Sequence, residues 1–512
     1  MPGVAIISLA CFYYQLESKS LSTTTSSFFR TTFFQGFCYG LGFFGLGVSW
    51  IYVSIHSYGH LNPLLSALFT FCFISYLSLF PALAVTIFKG LTKTAWPRLF
   101  IPSGPLLKLK HLAINLRYFS APLLFSALWV LSEYARATLM TGFPWLLVGF
   151  GQYDAPTRYF LPWFGVYGAS FFTCFAAGWL AECFLRKTSR QYLTALPIVL
   201  LLLLPLLFRK IEIHQKQTFE KPLTVAVIQA NLSMRDKWDE RLFDELLLHY
   251  QEKTLQALGT QLIVMPESAI PLPYNYVKAF LLDLDWQAKK AKSAILFGIP
   301  KSTKKNSEQY FNALMSIGTA NGIYLKQHLV PFGEYIPSLM QSINRWLDLP
   351  ESNLASGQSN QPPILIHHYP IASLICYELA YGNLLRRQLP EAAWIVSISD
   401  AGWFGHSLAM YQQQQMAQVL SMETARYQVF ANNDGLSSVI NAQGKIVQAL
   451  PAFKAGVLHS SVQPLHSITP WVNWGDRPIL SICWLILGVR LFYSLGRPIA
   501  AKYKRRYSYQ PQ

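Results

Sequence analysis

The sequence predicts a membrane protein in which a bundle of about seven transmembrane helices carries a separate α/β domain outside the cytoplasm. Three observations lead to this fold class. The hydrophobic fraction of the 512 residues is 52% and the charged fraction is 13%, whereas charged residues make up about a quarter of an ordinary soluble domain. Long apolar runs occur before residue 210 and after residue 475. Between them, short apolar segments alternate with polar segments that are compatible with helices.

The apolar runs are long enough to cross a bilayer, which requires about 20 residues of helix. They lie near residues 33–55, 63–88, 119–137, 159–184, 192–208 and 477–495. A shorter segment, GVAIISLACFYY, opens the chain without the basic residues that begin a signal peptide, and we interpret it as a further span. The runs predict a helical bundle over residues 1–210, a C-terminal membrane helix over 476–498 and a basic cytoplasmic tail over 499–512.

The Lys and Arg residues predict the orientation of the spans, because cytoplasmic loops carry an excess of them. ESKSLSTTTSSFFR is basic, HSYGHLN contains neither Lys nor Arg, and the loop from Lys89 to Arg117 is basic again. The alternation continues to the basic C-terminal segment AKYKRRYSYQPQ and places residues 211–475 on the non-cytoplasmic side. Much of the net charge of +17 therefore reflects topology, and it indicates the anionic cytoplasmic leaflet rather than a nucleic acid as its partner.

Residues 211–475 are predicted to form one compact α/β domain. Segments of strand type alternate with polar stretches such as DERLFDELLLHYQEKTLQAL, which is compatible with a helix. The strand segments are LTVAVIQA, QLIVMPES, SAILFGIP, NALMSIG, IASLIC and AAWIVSIS. The sequence has no solenoid repeat, and QQQQ at residues 412–415 is a short low-complexity tract.

Cys376 stands apart from the other cysteines of the chain. Six of the seven lie in apolar membrane segments, and Cys376 alone lies in the predicted extracytoplasmic domain, where it has no partner for a disulfide. It is either a small buried core residue or a functional thiol. No metal site is predicted, because a second Cys is missing nearby and the adjacent His367 and His368 would face opposite sides of a strand.

Three short phrases place polar residues where chemistry is expected. VMPESAI places Glu267 just after an apolar strand, YLKQHLVPFGEYIP contains Lys326 and Glu334, and LICYEL places Cys376 and Glu378 at a strand end. Strand ends are where α/β folds bind ligands. Each carboxylate or lysine alone is more often a solvated surface residue. Together they could deprotonate a thiol, stabilise an oxyanion and form a thioester.

The set Glu267, Lys326 and Cys376, each in its local phrase, resembles the nitrilase (carbon–nitrogen hydrolase) superfamily. The phrases GFCYGLGFFGLGVSWIYVSIHSYG, TGFPWLLVGFGQYDAP, MPES, HLVPFGEYIP, ICYE and DAGWFG resemble, more narrowly, the apolipoprotein N-acyltransferase family. This resemblance covers nearly the whole chain. It implies a bundle of membrane helices that carries an α-β-β-α nitrilase-type domain in the periplasm of a bacterium, anchored in the inner membrane.

The resemblance also implies a reaction. Members of the family move an acyl chain from a phospholipid, typically phosphatidylethanolamine, to the α-amino group of the diacylglyceryl-cysteine of an apolipoprotein, without a cofactor. By position, Glu267 corresponds to the general base, Lys326 to the lysine that stabilises the intermediate and Cys376 to the nucleophile. This transfer is the last step of lipoprotein maturation.

Further residues fall at positions that support the family's site. Glu334 and Glu378 match accessory acidic positions, and Tyr377 supplies the backbone N–H group that follows the nucleophile. Three aromatic residues match positions around the family's active-site opening, although as ordinary packing residues they would look the same: Trp238, Trp403 and Phe404.

The sequence departs from the family in two ways. Members usually have one more span upstream, so the full gene product is expected to have eight spans if the given start is too late. DAGWFG contains Gly402 in a phrase that often lacks it, from which we expect a small change in the local loop. Two other functions stay open: a membrane-tethered amidase with the same triad, and a receptor or transport protein with an inactive nitrilase domain.

Overall fold

The computed structural model of the chain describes residues 2–18, 25–59, 61–93, 108–185, 203, 206, 221–304, 309–337 and 353–507. The chain divides into two compact units. The first unit combines residues 1–47, 68–211 and 476–512, and the second combines 48–67 with 212–475. Each unit is described by itself below.

Helices account for the first unit and flank the sheets of the second. The α-helices of five residues or more are, in chain order, α1 (Pro2–Ser18), α2 (Thr25–Gly47), α3 (Pro63–Lys93), α4 (Lys108–Thr138), α5 (Leu161–Leu185), α6 (Phe243–Ala257), α7 (Lys278–Lys290), α8 (Gly382–Arg387), α9 (Ala409–Thr424), α10 (Pro470–Trp474) and α11 (Arg477–Tyr507).

Several of the long helices have the length and apolar character of membrane spans. Among the described residues these are Pro63–Thr92, Pro156–Leu185 and Arg477–Ser494, and the bent pair Ser27–Gly47 and Ile51–Tyr58 forms a fourth if it counts as one span. They coincide with four of the predicted runs. The run at 119–137 lies within α4, whereas the run at 192–208 falls almost entirely outside the described residues. The total of about seven spans stays a prediction.

The first unit has a tightly packed, mostly apolar interior. Tyr13 is fully buried in it and donates a hydrogen bond to Oε1 of Glu182 at 2.9 Å. Gly36 of α2 faces α3 so closely that an added Cβ atom would lie 2.6 Å from Cα of Ala82. The absence of a side chain therefore lets these two helices approach each other, as small residues do in membrane proteins.

The second unit is a sandwich of two sheets. Its strands are β1 (Leu223–Gln229), β2 (Leu262–Val264), β3 (Ala294–Ser302), β4 (Tyr310–Gly318), β5 (Ala320–Asn321), β6 (Ile323–Leu325), β7 (Leu354–Ala355), β8 (Ile364–Ile366), β9 (Tyr369–Ile375), β10 (Ile395–Ser399), β11 (Gln428–Asn432), β12 (Ser438–Ile440), β13 (Ile446–Ala449) and β14 (Gly456–Val462). Sheet one has the order β14-β1-β2-β3-β4-β6, with β7 paired to β4, and sheet two has the order β13-β12-β11-β10-β9-β8-β5.

Three layers of apolar side chains hold the sandwich together. A central layer joins the facing sides of the two sheets and includes Val225, Val264, Ile375 and Ile398. A second layer packs α6 and α7 against the outer face of sheet one. A third packs α8, α9 and α10 against the outer face of sheet two. The order helix, sheet, sheet, helix is the predicted α-β-β-α arrangement. The strands are buried on both faces, which explains why their segments in the sequence are continuously apolar and do not alternate with polar residues.

Both sheets contain a parallel core whose carboxyl ends carry polar residues. In sheet one, β1, β2 and β3 are parallel. In sheet two, β9, β10 and β11 are parallel. The predicted functional residues follow β2 and β6 of sheet one and β9 of sheet two. The candidate site is therefore assembled from both sheets.

Candidate active site

Cys376 lies at the abrupt end of β9. Its backbone adopts a left-handed conformation with φ of 53°, which non-glycine residues rarely adopt. A short 3₁₀ turn, Cys376–Ala380, begins at this residue. The side chain is 6% exposed, and Nε2 of Gln413 lies 4.0 Å from its sulfur. Backbone strain of this kind concentrates at functional sites, which favours a functional thiol over a simple core residue.

Glu267 follows β2 and is held at both carboxylate oxygens. Nδ2 of Asn312 donates to Oε1 at 2.8 Å, and the backbone N–H of Asp400 donates to Oε2 at 3.0 Å. The residue is 6% exposed. These two hydrogen bonds fix the position of the carboxylate.

Lys326 follows β6 and lies between two carboxylates. Its Nζ atom is 2.8 Å from Oε1 of Glu334 and 3.4 Å from Oε1 of Glu267. Glu334 in turn accepts hydrogen bonds from the backbone N–H of Val330 at 2.8 Å and from Nδ2 of Asn312 at 3.3 Å. The predicted partners Glu267, Lys326 and Glu334 therefore form one buried cluster.

The charges of this cluster control the protonation of the lysine and the thiol. Burial by itself lowers the pKa of Lys326, but the negative charges of Glu334 and Glu267 outweigh it and raise that pKa above its usual value. Burial, together with the charge of Glu267, raises the pKa of the Cys376 thiol, although Lys326 acts in the opposite direction. The resting site thus holds an ammonium ion beside a neutral thiol, which needs a base in order to react.

Glu378 supports the site from within the fold. It is fully buried, and its carboxylate accepts hydrogen bonds from the backbone N–H groups of Gln327 at 2.7 Å, His328 at 3.0 Å and Ile375 at 2.8 Å. The hydroxyl of Tyr324 lies 3.1 Å from both of its oxygens. Glu378 thereby ties the segment after Lys326 to the end of β9. Burial raises its pKa to about 7, against the effect of these backbone donors.

Tyr377 is buried directly after the cysteine, and its ring lies 5.8 Å from that of His328. The three aromatic candidates lie nearer the surface. Trp238 is 47% exposed and Trp403 is 41% exposed. Their location is compatible with the rim of a site.

The segment 48–67 packs on the loop that contains Trp403 and Phe404. Oγ of Ser54 donates to the backbone oxygen of Trp403 at 2.7 Å, and the rings of Trp50 and Phe404 lie 4.6 Å apart. Nε1 of Trp50 also donates to Oε1 of Gln412 at 3.1 Å. The loop after β10 is therefore supported from a distant part of the chain.

Three residues of the candidate site were not predicted from the sequence. Asn312 bridges the two carboxylates from within β4, and Lys237 pairs with Asp400 beneath Glu267. Asp400 could have been found by the signal that identified Glu267, because it follows the buried strand β10 directly. Among the described residues, no group of three His, Cys, Asp or Glu side chains could hold a metal ion.

Comparison with known proteins identifies the family. Residues 1–179 match the family model of the apolipoprotein N-acyltransferase N-terminal domain, and residues 224–471 match that of carbon–nitrogen hydrolase. A relative from Coxiella burnetii is 34% identical over 457 residues, which cover 88% of this chain and 89% of the relative. Another, from Pseudomonas syringae pv. tomato, is 32% identical over 490 residues, or 95% and 91% of the two chains. Both relatives bear the name apolipoprotein N-acyltransferase, and the chain belongs to the apolipoprotein N-acyltransferase family.

Proposed function

We propose that the protein transfers an acyl chain from a phospholipid, typically phosphatidylethanolamine, to the α-amino group of the diacylglyceryl-cysteine that begins an apolipoprotein. The observation that carries this proposal is the buried cluster in which Lys326 lies 3.4 Å from Glu267, beside a thiol at a strained strand end. Membership of the family and the apolar helices of the first unit support it. The reaction has two half-reactions through a thioester at Cys376.

In the first half-reaction, the sulfur of Cys376 attacks the carbonyl carbon of the phospholipid ester while Glu267 accepts the thiol proton. The oxyanion that forms is stabilised by the Lys326 ammonium group and by the backbone N–H of Tyr377. The bond from the carbonyl carbon to the ester oxygen then breaks. Glu267 returns its proton to that oxygen, so that a lysophospholipid leaves and the acyl thioester remains.

In the second half-reaction, the α-amino group of the apolipoprotein attacks the thioester carbonyl. Glu267 accepts the proton from this nitrogen as the second tetrahedral oxyanion forms, again next to Lys326. The carbon–sulfur bond breaks and the thiolate takes the proton from Glu267. The products are an amide-linked acyl chain and the free thiol, so that protons and bonds balance over the cycle.

The proposal requires that water does not reach the thioester. Glu267, Lys326 and Cys376 are each at most 6% exposed, which supports a poorly hydrated site. A membrane setting serves the same chemistry, because moving a chain of ~15 methylene groups into water would cost about 12 kcal/mol.

On this proposal the protein is a multi-pass protein of the bacterial inner membrane. Residues 1–210 and 476–498 belong to the membrane, 499–512 lie in the cytoplasm, and the catalytic domain, residues 211–475, lies in the periplasm. Single cysteines introduced at exposed positions test this orientation. A thiol reagent that cannot cross membranes should label Lys445→Cys from the periplasm, and Arg30→Cys only after the inner membrane is opened. The reverse pattern would invert the topology.

The function itself is tested by mass spectrometry of Cys376. The protein purified from membranes should carry an acyl adduct there, and a diacylglyceryl peptide should discharge it while water alone does not. Cys376→Ala should lose both the adduct and transfer while it stays folded. Discharge by water at the same rate would favour the alternative, a membrane-tethered amidase or hydrolase with the same triad. Full transfer by Cys376→Ala would exclude the thioester mechanism.

A further inference from the structure

We propose that the buried ion pair between Lys237 and Asp400 is a positioning unit that fixes the catalytic base Glu267, an inference that rests on the function proposed above. Neither residue has a place in the chemistry described so far. Lys237 is fully buried and Asp400 is 2% exposed. Their ammonium and carboxylate groups are in direct contact.

The two members of the pair hold Glu267 at two different atoms. Nζ of Lys237 donates a hydrogen bond to the backbone oxygen of Glu267 at 2.8 Å. The backbone N–H of Asp400 donates to Oε2 of the Glu267 carboxylate at 3.0 Å. One pair of residues thus fixes both the main chain and the side chain of Glu267. The Glu267 carboxylate therefore has little freedom to rotate.

Each member of the pair is itself held in place. Ser233 caps the short helix Met234–Lys237, because its hydroxyl accepts the backbone N–H of Asp236 at 3.1 Å. The Asp400 carboxylate accepts, besides Lys237, the backbone N–H of Gly402 at 3.1 Å and Nδ2 of Asn433 at 3.2 Å.

A purely structural role is a poor explanation for this pair. Taking two charges out of water is costly, and well-packed apolar residues often replace a buried ion pair without loss of stability. An apolar residue at position 237 could not donate to the backbone oxygen of Glu267. One at position 400 would keep the backbone N–H but would lose the carboxylate that anchors this segment to Lys237, Gly402 and Asn433. Small displacements of a catalytic group can lower a rate by about 10²-fold.

The pair also adjoins the two segments that contain Trp238 and Trp403. Lys237 immediately precedes Trp238, and Asp400 begins the 3₁₀ turn Ala401–Phe404 that contains Trp403. Lys237 comes from the segment after β1 of sheet one, whereas Asp400 follows β10 of sheet two. The pair therefore fixes the base relative to both sheets and to the loops that flank it.

The test compares Lys237→Met with the double variant Lys237→Met/Asp400→Asn in the full-length protein in phospholipid micelles. The single variant leaves a buried charge unpaired and should be destabilised. The double variant removes both charges and should regain much of its thermal unfolding midpoint. Because it still lacks the donor to the Glu267 backbone, its maximal rate of adduct formation on Cys376 should stay about 10²-fold below wild type. The half-saturating phospholipid concentration should not change.

Lys289→Met is the matched control, since it breaks the surface ion pair with Asp285, in which the lysine side chain is 61% exposed. It should leave rate and unfolding midpoint at wild-type values. Recovery of both stability and rate in the double variant would overturn the positioning role, and so would failure of both Lys237 variants to fold, which assigns the pair to the fold alone. If wild type itself forms no adduct on Cys376, the proposed function fails and the inference falls with it.

Discussion

The ammonium group of Lys326 is closer to Glu334, at 2.8 Å, than to the proposed base Glu267, at 3.4 Å. Glu334 therefore neutralises much of the lysine's charge in the resting site. This leaves the Glu267 carboxylate less tightly bound to the cation than a simple pair would be.

Replacing Glu334 by Gln should lower the rate of adduct formation on Cys376 by about 10-fold, the effect of one charged hydrogen bond. The amide keeps an oxygen for the backbone N–H of Val330 but no longer balances Lys326, which will then pair more strongly with Glu267. Single-turnover kinetics with a phospholipid donor measure this rate. A loss as large as that of Glu267→Gln would instead make Glu334 a candidate for the base.

Replacing Glu267 by Gln should slow adduct formation by about 10²–10⁴-fold, the usual contribution of general-base catalysis. Lys326→Met should cost at least as much, because it removes the cation that stabilises the oxyanion. Both variants purified from cells should carry little adduct, as mass spectrometry can show. Adduct formation at the wild-type rate in Glu267→Gln would mean that Glu334 or Glu378 takes the thiol proton.

Asp434 makes stability depend on pH. Burial, and after it the charge of Asp400, raises the pKa of Asp434 from 3.8 to about 7. Between pH ~4 and ~7 the folded protein therefore binds more protons than the unfolded chain, so the free energy of unfolding falls as the pH rises. Asp434→Asn should be more stable than wild type by about 4 kcal/mol at pH 8, since each unit of pKa shift corresponds to about 1.4 kcal/mol, and this advantage should vanish near pH 4. Equal thermal unfolding midpoints at pH 8 would contradict the prediction.

Gly402 has room only for a hydrogen. An added Cβ atom would lie 2.7 Å from Cγ of Met234 and 3.1 Å from Oδ1 of Asp400. Gly402→Ala should therefore destabilise the domain by about 1–3 kcal/mol, as overpacking does. Met234→Ala also removes a buried side chain and destabilises by itself, but it relieves the clash, so the double variant should be more stable than the sum of the two single effects predicts. If the two effects simply add, the clash with Met234 is not the cause.

The apolar strands were predictable from the sequence, because a strand that is buried on both faces appears as a short continuous run of apolar residues. LTVAVIQA and AAWIVSIS correspond to β1 and β10, and the polar stretch from Asp239 contains α6. Their pairing was not predictable: β14 lies beside β1, more than 200 residues earlier, because contact across a sheet depends on the whole chain. The QQQQ tract was also not informative, although Gln413 and Gln414 are buried on α9.

The members of the predicted cluster were found because each follows a strand in a distinctive phrase. Glu267 and Lys326 do lie together, but Lys326 has its shorter contact with Glu334. Asn312 and Lys237 were not predicted, because the local sequence does not distinguish a functional amide within a strand, or a functional lysine on a short helix, from an ordinary one. Their importance arises only from what the fold places beside them.

Glu267 and Lys326 follow strands of sheet one, whereas Cys376 and Asp400 follow strands of sheet two. The proposed reaction therefore depends on how accurately the two sheets are positioned on each other. A shift of less than an ångström between the sheets would leave the hydrogen bonds within each sheet intact and yet move the Glu267 carboxylate away from the Cys376 sulfur. Mild denaturants should therefore abolish acyl transfer while the circular dichroism is still that of the native protein.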